Sequence, residues 1–230
     1  MKLTPRLQII ADSINHCDTL ADIGTDHAYL PIYLVKKGKI KQAIAGDINK
    51  GPIDIARGRI QANRLEEKIQ ARQGNGLTVL EPQEADTIVI AGMGGMLIAE
   101  IIEQSRPVAE AAKQLILQPM LDSGKLRSYL LEQGFEIFDE ELAKEDRKLY
   151  EILWVRYTGQ PEKAEGSLTI GPKIIEKRHP LALELIAKKE HELQVILEKL
   201  KNTETEHSQE RIQECKSLLE YYNEVRTCLK

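Results

Sequence analysis

The chain is poor in cysteine. It has three in 230 residues, Cys17, Cys215 and Cys228, and no C-x-x-C pair. An odd count without that spacing argues against a disulfide framework or a thiolate zinc site, and it suits a reducing compartment. Long apolar runs are also lacking. No stretch approaches the ~18 residues of a membrane-spanning helix, and no signal-type apolar segment follows Met1-Lys2-Leu3-Thr4-Pro5-Arg6. The expectation is a soluble, cytoplasmic chain. Positive charge is not in excess: 32 Lys+Arg stand against 36 Asp+Glu, for a net charge of -4. No general basic field draws the chain to nucleic acid, so any RNA contact needs a local basic patch.

Several catalytic signatures are missing. Gly124-Lys125 is followed by Leu126 and lacks the upstream glycine of a phosphate-binding loop. There is no G-x-S-x-G nucleophile elbow, no H-E-x-x-H metal helix and no G-x-G-x-x-G dinucleotide turn. No metal is expected. The five histidines are scattered. His27 alone falls in a candidate site; His16 reads as a helix-end residue, and His179, His191 and His207 as solvated.

What is present is an alternation of strand and helix. Residues 3–16 carry apolar positions at helical spacing. Buried strands are expected at 19–24, 42–47, 69–73, 87–91 and 114–119, with helices at 27–37, 51–64, 96–104 and 123–133. Two strands, 135–138 and 150–155, then follow one another directly. Alternation of this kind means a mostly parallel sheet covered on both faces, a doubly wound, Rossmann-like α/β fold. The closing pair implies an antiparallel hairpin at one edge, the usual ending of class I S-adenosylmethionine-dependent methyltransferases. Residues 159–171 have linker composition. Beyond them Ile186, Leu193 and Leu200 repeat every seven; after a break at 202–205, Ile212, Cys215, Leu219, Tyr222 and Leu229 resume the pattern. This reads as a C-terminal α-helical coiled-coil hairpin. The expected organisation is a catalytic domain at 1–160 and a helical domain at 161–230.

In a doubly wound sheet, ligands bind outside the carboxyl ends of the strands. The first strand ends Asp22-Ile23-Gly24-Thr25-Asp26-His27. Asp26 near a helix N-terminus would repel a pyrophosphate, whereas the ammonium and sulfonium of S-adenosylmethionine would be favoured by Asp22 and Asp26. Asp26 also fits a simple helix cap. Asp47, followed by Ile48, ends the second strand, where an acid can accept hydrogen bonds from both ribose hydroxyls. Gly74-Asn75-Gly76 follows the third strand; its amide can pair with an adenine edge, or the segment can be a plain turn. Ala91-Gly92-Met93-Gly94-Gly95 follows the fourth, and three glycines in four residues suggest close approach of a ligand to the backbone.

Taken together, D-I-G-T-D-H-A-Y-L-P (22–31), G-D-I-N (46–49), G-N-G-L (74–77), I-A-G-M-G-G (90–95) and L-Q-P (117–119) resemble the TrmK family, bacterial tRNA (adenine-N1)-methyltransferases acting at tRNA position 22. The resemblance implies S-adenosylmethionine as methyl donor and tRNA as acceptor. It places Asp22, Ile23, Gly24, Asp26 and His27 around the methionine end of the cofactor, Asp47 and Ile48 at the ribose, and Asn75 and Gly76 near the adenine. Ala91 and Gly92 to Gly95 would lie on the methyl-acceptor side.

Adenine N1 has a free lone pair at neutral pH, so no general base is needed, and catalysis reduces to positioning. Asp26, Gly92 and Met93 are the candidates for that role. N1 lies on the Watson–Crick edge, so the target must be unpaired or flipped out. Tyr29 either stacks on a base or packs between helix and sheet. Candidate RNA contacts are Lys2, Arg6, the cluster Lys36, Lys37, Lys39 and Lys41, the arginines Arg57, Arg59 and Arg64, and Lys173, Lys177, Arg178, Lys188 and Lys189; each also fits a solvated face. A monomer is expected. Two other readings remain open at this level: a methyltransferase for a small molecule or protein, and a non-catalytic scaffold binding S-adenosylmethionine or RNA.

Overall fold

The computed structural model describes residues 2–15, 17–163, 166–201 and 205–229. His16, read above as a helix end, and part of the 202–205 break lie outside these. The chain divides into two compact units, Met1–Ala164 and Glu165–Lys230.

The first unit is built on one sheet of order β3-β2-β1-β4-β5-β7-β6. Its strands are β1 (Cys17–Ile23), β2 (Ile40–Asp47), β3 (Ile69–Gln73), β4 (Thr87–Gly94), β5 (Gln114–Leu121), β6 (Phe135–Glu145) and β7 (Lys148–Tyr157). The first five run parallel, while β7 is antiparallel to both β5 and β6. The expected doubly wound sheet with its antiparallel edge is thus the observed one. The chain winds outward from β1 through β2 to β3, then returns to β4 on the other side of β1. The reversal between β1 and β4 opens a crevice at their carboxyl ends, where such folds bind ligands.

Side chains alternate faces along each strand, and the two faces carry separate cores. Ala21, Ile23, Ile88, Ile90, Leu115 and Leu117 point to one core, while Leu20, Val89 and Ile116 point to the other. Helices α4 (Gly95–Gln104), α5 (Arg106–Ala111) and α6 (Ser123–Glu132) cover the first face through Ile98, Ile102, Val108, Leu126 and Leu130. Helices α1 (Pro5–Ser13), α2 (Tyr29–Lys36) and α3 (Lys50–Ala62) cover the second through Ile10, Leu30, Leu34, Ala56 and Ile60. Pro5 opens α1, where its missing N–H costs no helical hydrogen bond.

Three differences from the expectation have identifiable causes. Strand β4 runs on to Gly94 rather than ending at Ala91, because a bulge against β5 lets the glycines keep pairing. The six-residue α5 is too short to show a period. The closing hairpin extends over 135–145 and 148–157, through residues as polar as Asp139-Glu140-Glu141. Those charges are accounted for in the fold: Arg127, fully buried on α6, donates to Glu140 at 2.6 Å and to Glu151 at 2.7 Å, and Ser123 Oγ donates to Glu151 at 2.8 Å.

The second unit contains α7 (Pro172–Glu176), α8 (Ala182–Leu200) and α9 (Glu206–Leu229). Helices α8 and α9 pack on each other, with Ile186, Leu193, Cys215, Tyr222 and Val225 buried and Arg226 bonded to Glu190. His179 departs from its expectation: it is half-buried, and its Nδ1 accepts the Leu181 N–H. No described helix is long and apolar enough to cross a membrane.

Candidate active site

The β1–α2 turn forms one wall of the crevice. Gly24 has φ +74°, a left-handed conformation that glycine adopts without strain. A Cβ there would lie 2.0 Å from Met93 Cε, so the β1 turn and the β4 loop touch at the one place where a side chain is missing. Both Gly24 N–H and Thr25 N–H donate to the Gly46 carbonyl, fixing the turn to β2.

Asp22 is the buried acid of this turn. It accepts from Thr25 Oγ1 at 2.6 Å. Burial pushes its carboxyl up from 3.8 to about 6, and Asp26 and Asp47 push the same way; the Thr25 hydroxyl and the Arg6 charge pull it down. A buried carboxylate held this high favours a cationic ligand group, and the ammonium of S-adenosylmethionine meets that requirement.

Asp26 does not cap α2. The helix begins at Tyr29, its N-cap is Ala28, and no side chain caps it. The Asp26 side chain is 81% exposed and pairs with His27 Nε2 at 2.9 Å. His27 and Ala28 both have positive φ, 67° and 55°. Non-glycine residues in this region store strain, which recurs at ligand-binding turns. Tyr29 packs rather than standing free. It adjoins the α2 core with the Arg59 guanidinium 4.3 Å above its ring.

On β2, Asp47 accepts the Asn49 N–H at 2.7 Å, and the neighbouring Ile48 is exposed. The Gly-Asn-Gly turn is tied to this strand by Gly74 N–H donating to Asp47 O. Its glycines serve packing: a Cβ on Gly74 would meet Val79 at 2.5 Å, and one on Gly76 would meet Ile101 at 2.8 Å. The Asn75 amide donates to Gln104 Oε1 at 3.2 Å, across the mouth of the turn.

The glycines of the β4 loop differ from one another. Gly92 has φ +82°. Gly95 is forced, because a Cβ would lie 2.7 Å from the Asp122 carbonyl oxygen. Gly94 faces open space, with nothing within 4 Å of its missing Cβ. Packing therefore explains Gly95 and leaves room at Gly94.

The expected site residues fall along one edge of the sheet, at the ends of β1, β2, β3 and β4. The elements that sequence reasoning missed come from far along the chain. Arg6, taken above for an RNA contact, folds inward: Nη1 donates to the buried Gln118 Oε1 at 2.5 Å and lies 3.5 Å from the missing Cβ of Gly92. Its backbone N–H donates to Glu145 Oε1, and its guanidinium lies over the Tyr150 ring. Only the L-Q-P motif marked this network in sequence. The other basic clusters are partly engaged: Lys36 with Asn63, Lys39 with the Ala11 carbonyl, Lys41 with Asp18, and Arg57 with Asp54. Among the described residues no three His, Cys, Asp or Glu side chains group to hold a metal.

Comparison with known proteins bears on this geometry. The curated tRNA (adenine(22)-N(1))-methyltransferase of Bacillus subtilis is 35% identical over 98% of this chain and 97% of its own. The crystal structure of a candidate tRNA methyltransferase of Streptococcus pneumoniae, in complex with S-adenosyl-L-methionine, has a TM-score of 0.82 and 36% identity, covering 95% of this chain and 100% of that one. The Mycoplasma capricolum TrmK structure, in complex with S-adenosyl-homocysteine, has a TM-score of 0.83 and 27% identity, covering 97% and 99%. The family model TrmK, tRNA (adenine(22)-N(1))-methyltransferase, matches residues 20–221, and the chain belongs to that family.

Proposed function

We propose that this chain transfers a methyl group from S-adenosylmethionine to N1 of the adenine at position 22 of tRNA. The observation that carries the reading is the crevice between β1 and β4. A buried carboxylate, Asp22, stands at one end, and Gly94 faces open space on the other.

The cofactor supplies an electrophilic methyl when bound. Asp22 and the Gly24 backbone hold its methionine end, and Asp47 accepts from the ribose hydroxyls. Ile48 would lie beside Asp47 at the ribose, and the Asn75-Gly76 turn at the adenine edge. Ala91 and Gly92 to Gly94 line the side from which the target base enters. Ile23 and His27 complete the β1 wall, His27 by orienting Asp26. Adenine N1 attacks with its own lone pair, so no residue removes a proton first. The chain's contribution is alignment and the exclusion of competing geometries. Met93 sets the spacing between the two loops through its contact with Gly24. Asp26, exposed and paired with His27, would stabilise the positive charge that the adenine gains with the methyl rather than act as a base. The reading takes a monomer as the working unit.

The test is methyl transfer from labelled S-adenosylmethionine to unmodified transcribed tRNA, with the product nucleoside identified by mass spectrometry. N1-methyladenosine at position 22 is the expected product. Cofactor binding without transfer to any tRNA would discard the substrate and keep the cofactor.

A further inference from the structure

The carboxyl edge of β4 and β5 exposes apolar side chains that the reaction as described does not use. Met96 and Leu97, in the first turn of α4, are 42% and 48% exposed; Met120 and Leu121, at the end of β5, are 45% and 71% exposed. Pairing of β4 with β5 sets Leu121 opposite Gly94, and the Leu121 carbonyl oxygen lies 2.9 Å from the missing Cβ of Gly95. Met120 Sδ is 3.6 Å from Gln118 Nε2, and Gln118 holds Arg6 beside Gly92. Met120 and Leu121 thus lie on the strand end that pairs with the β4 loop, and Met96 and Leu97 follow that loop directly in the chain. Apolar exposure gathered beside a candidate site marks a binding surface.

The occupant follows from position and size. A patch of four side chains falls far short of the 20–30 residues a side that a stable protein interface buries, which argues against a second copy of the chain. It adjoins the β4 loop, which on the proposed function faces the incoming base. Taking a base out of its stack exposes the flat faces of its neighbours, and leucine and methionine are among the side chains that fill such gaps in nucleic acids. Thioethers also make favourable contacts with aromatic rings. Resting on the proposed function, we propose that Met96, Leu97, Met120 and Leu121 form a wedge that stacks against the bases flanking the target adenine and holds the tRNA open around it.

Two double variants of the full chain test this, Met96→Ser with Leu97→Ser and Met120→Ser with Leu121→Ser. Both replace exposed side chains, and melting temperature and S-adenosylmethionine affinity check their folding. The substrates are unmodified tRNA and the same tRNA with an abasic residue opposite the target adenine, which removes the need to open it. The expected result is at least a tenfold loss of kcat/KM on intact tRNA, carried mainly by KM, shrinking to under threefold on the abasic substrate. An equal loss on both substrates, or no loss on either, would overturn the wedge while leaving the methyltransferase reading intact. A change of oligomeric state in the variants by analytical ultracentrifugation would overturn it in favour of a self-association surface. No N1-methyladenosine from the wild-type chain on either substrate would overturn both readings.

Discussion

Replacing Asp22 with Asn should make the ligand-free chain more stable and a poorer enzyme. The carboxyl titrates at about 6 in the folded chain against a reference of 3.8. It therefore holds its proton more tightly folded than unfolded. Below about pH 4 it is protonated in both states and costs nothing. Between 4 and 6 the cost grows, and above 6 it is present in full. The gap corresponds to about 3 kcal/mol, a ceiling, since each pKa unit is about 1.4 kcal/mol. An Asn keeps an oxygen for the Thr25 hydroxyl and carries no charge to desolvate. At about 2–4 °C per kcal/mol for a unit of this size, Asp22→Asn should melt up to about 6–12 °C higher at pH 7.5 and gain roughly half as much at pH 5. The same change removes a charge-assisted hydrogen bond to the cofactor ammonium, worth about 1.5–3 kcal/mol, or roughly a 10- to 100-fold weaker affinity. Scanning calorimetry at the two pH values, with cofactor titration calorimetry on both proteins, reads each effect. A gain in melting temperature that does not depend on pH would refute the desolvation argument. Unchanged cofactor affinity would refute the assignment of Asp22 to the ammonium.

Four further outcomes follow from the geometry. Gly24→Ala places a Cβ against Met93 Cε and forces alanine to φ +74°; strain of about 1–3 kcal/mol should weaken cofactor binding at least fivefold by titration, and adding Met93→Ala should recover only the contact part. Gly95→Ala, which meets the Asp122 backbone, should lower the melting temperature by several degrees. Gly94→Ala, facing open space, should leave the melting temperature within about 2 °C and lower kcat/KM for tRNA at least fivefold. Arg127→Ala leaves Glu140 and Glu151 facing each other without their cation; a loss of about 3–5 kcal/mol should appear in urea denaturation, with cofactor affinity unchanged in the protein that remains folded.

The strand–helix order was readable because the parallel strands are buried on both faces and carry unbroken apolar runs such as Thr87-Ile88-Val89-Ile90. The edge that gathers the candidate residues was readable for the same reason: strand ends can be counted, and acids and glycines at them stand out. The length of β6 was not, since Asp139-Glu140-Glu141 looks like a loop until Arg127 is placed behind it. Nor was the role of Arg6. Its partners Gln118, Glu145 and Tyr150 are more than a hundred residues away, and no local pattern encodes such a meeting. The alternative of Asp26 as a helix cap failed for a subtler reason. A cap-like residue before a helix is a good signal only when the intervening backbone is ordinary, and here His27 and Ala28 are both left-handed.

The meeting of Gly24 with Met93 has one more implication. The β1 turn and the β4 loop share a single van der Waals surface, with a thioether methyl occupying the hollow left by hydrogen. Neither can shift without the other registering it. Under the proposed function, any bias that a bound donor places on base entry through this contact would act back on the donor by the same factor. The absence of one carbon atom is what lets the two segments meet.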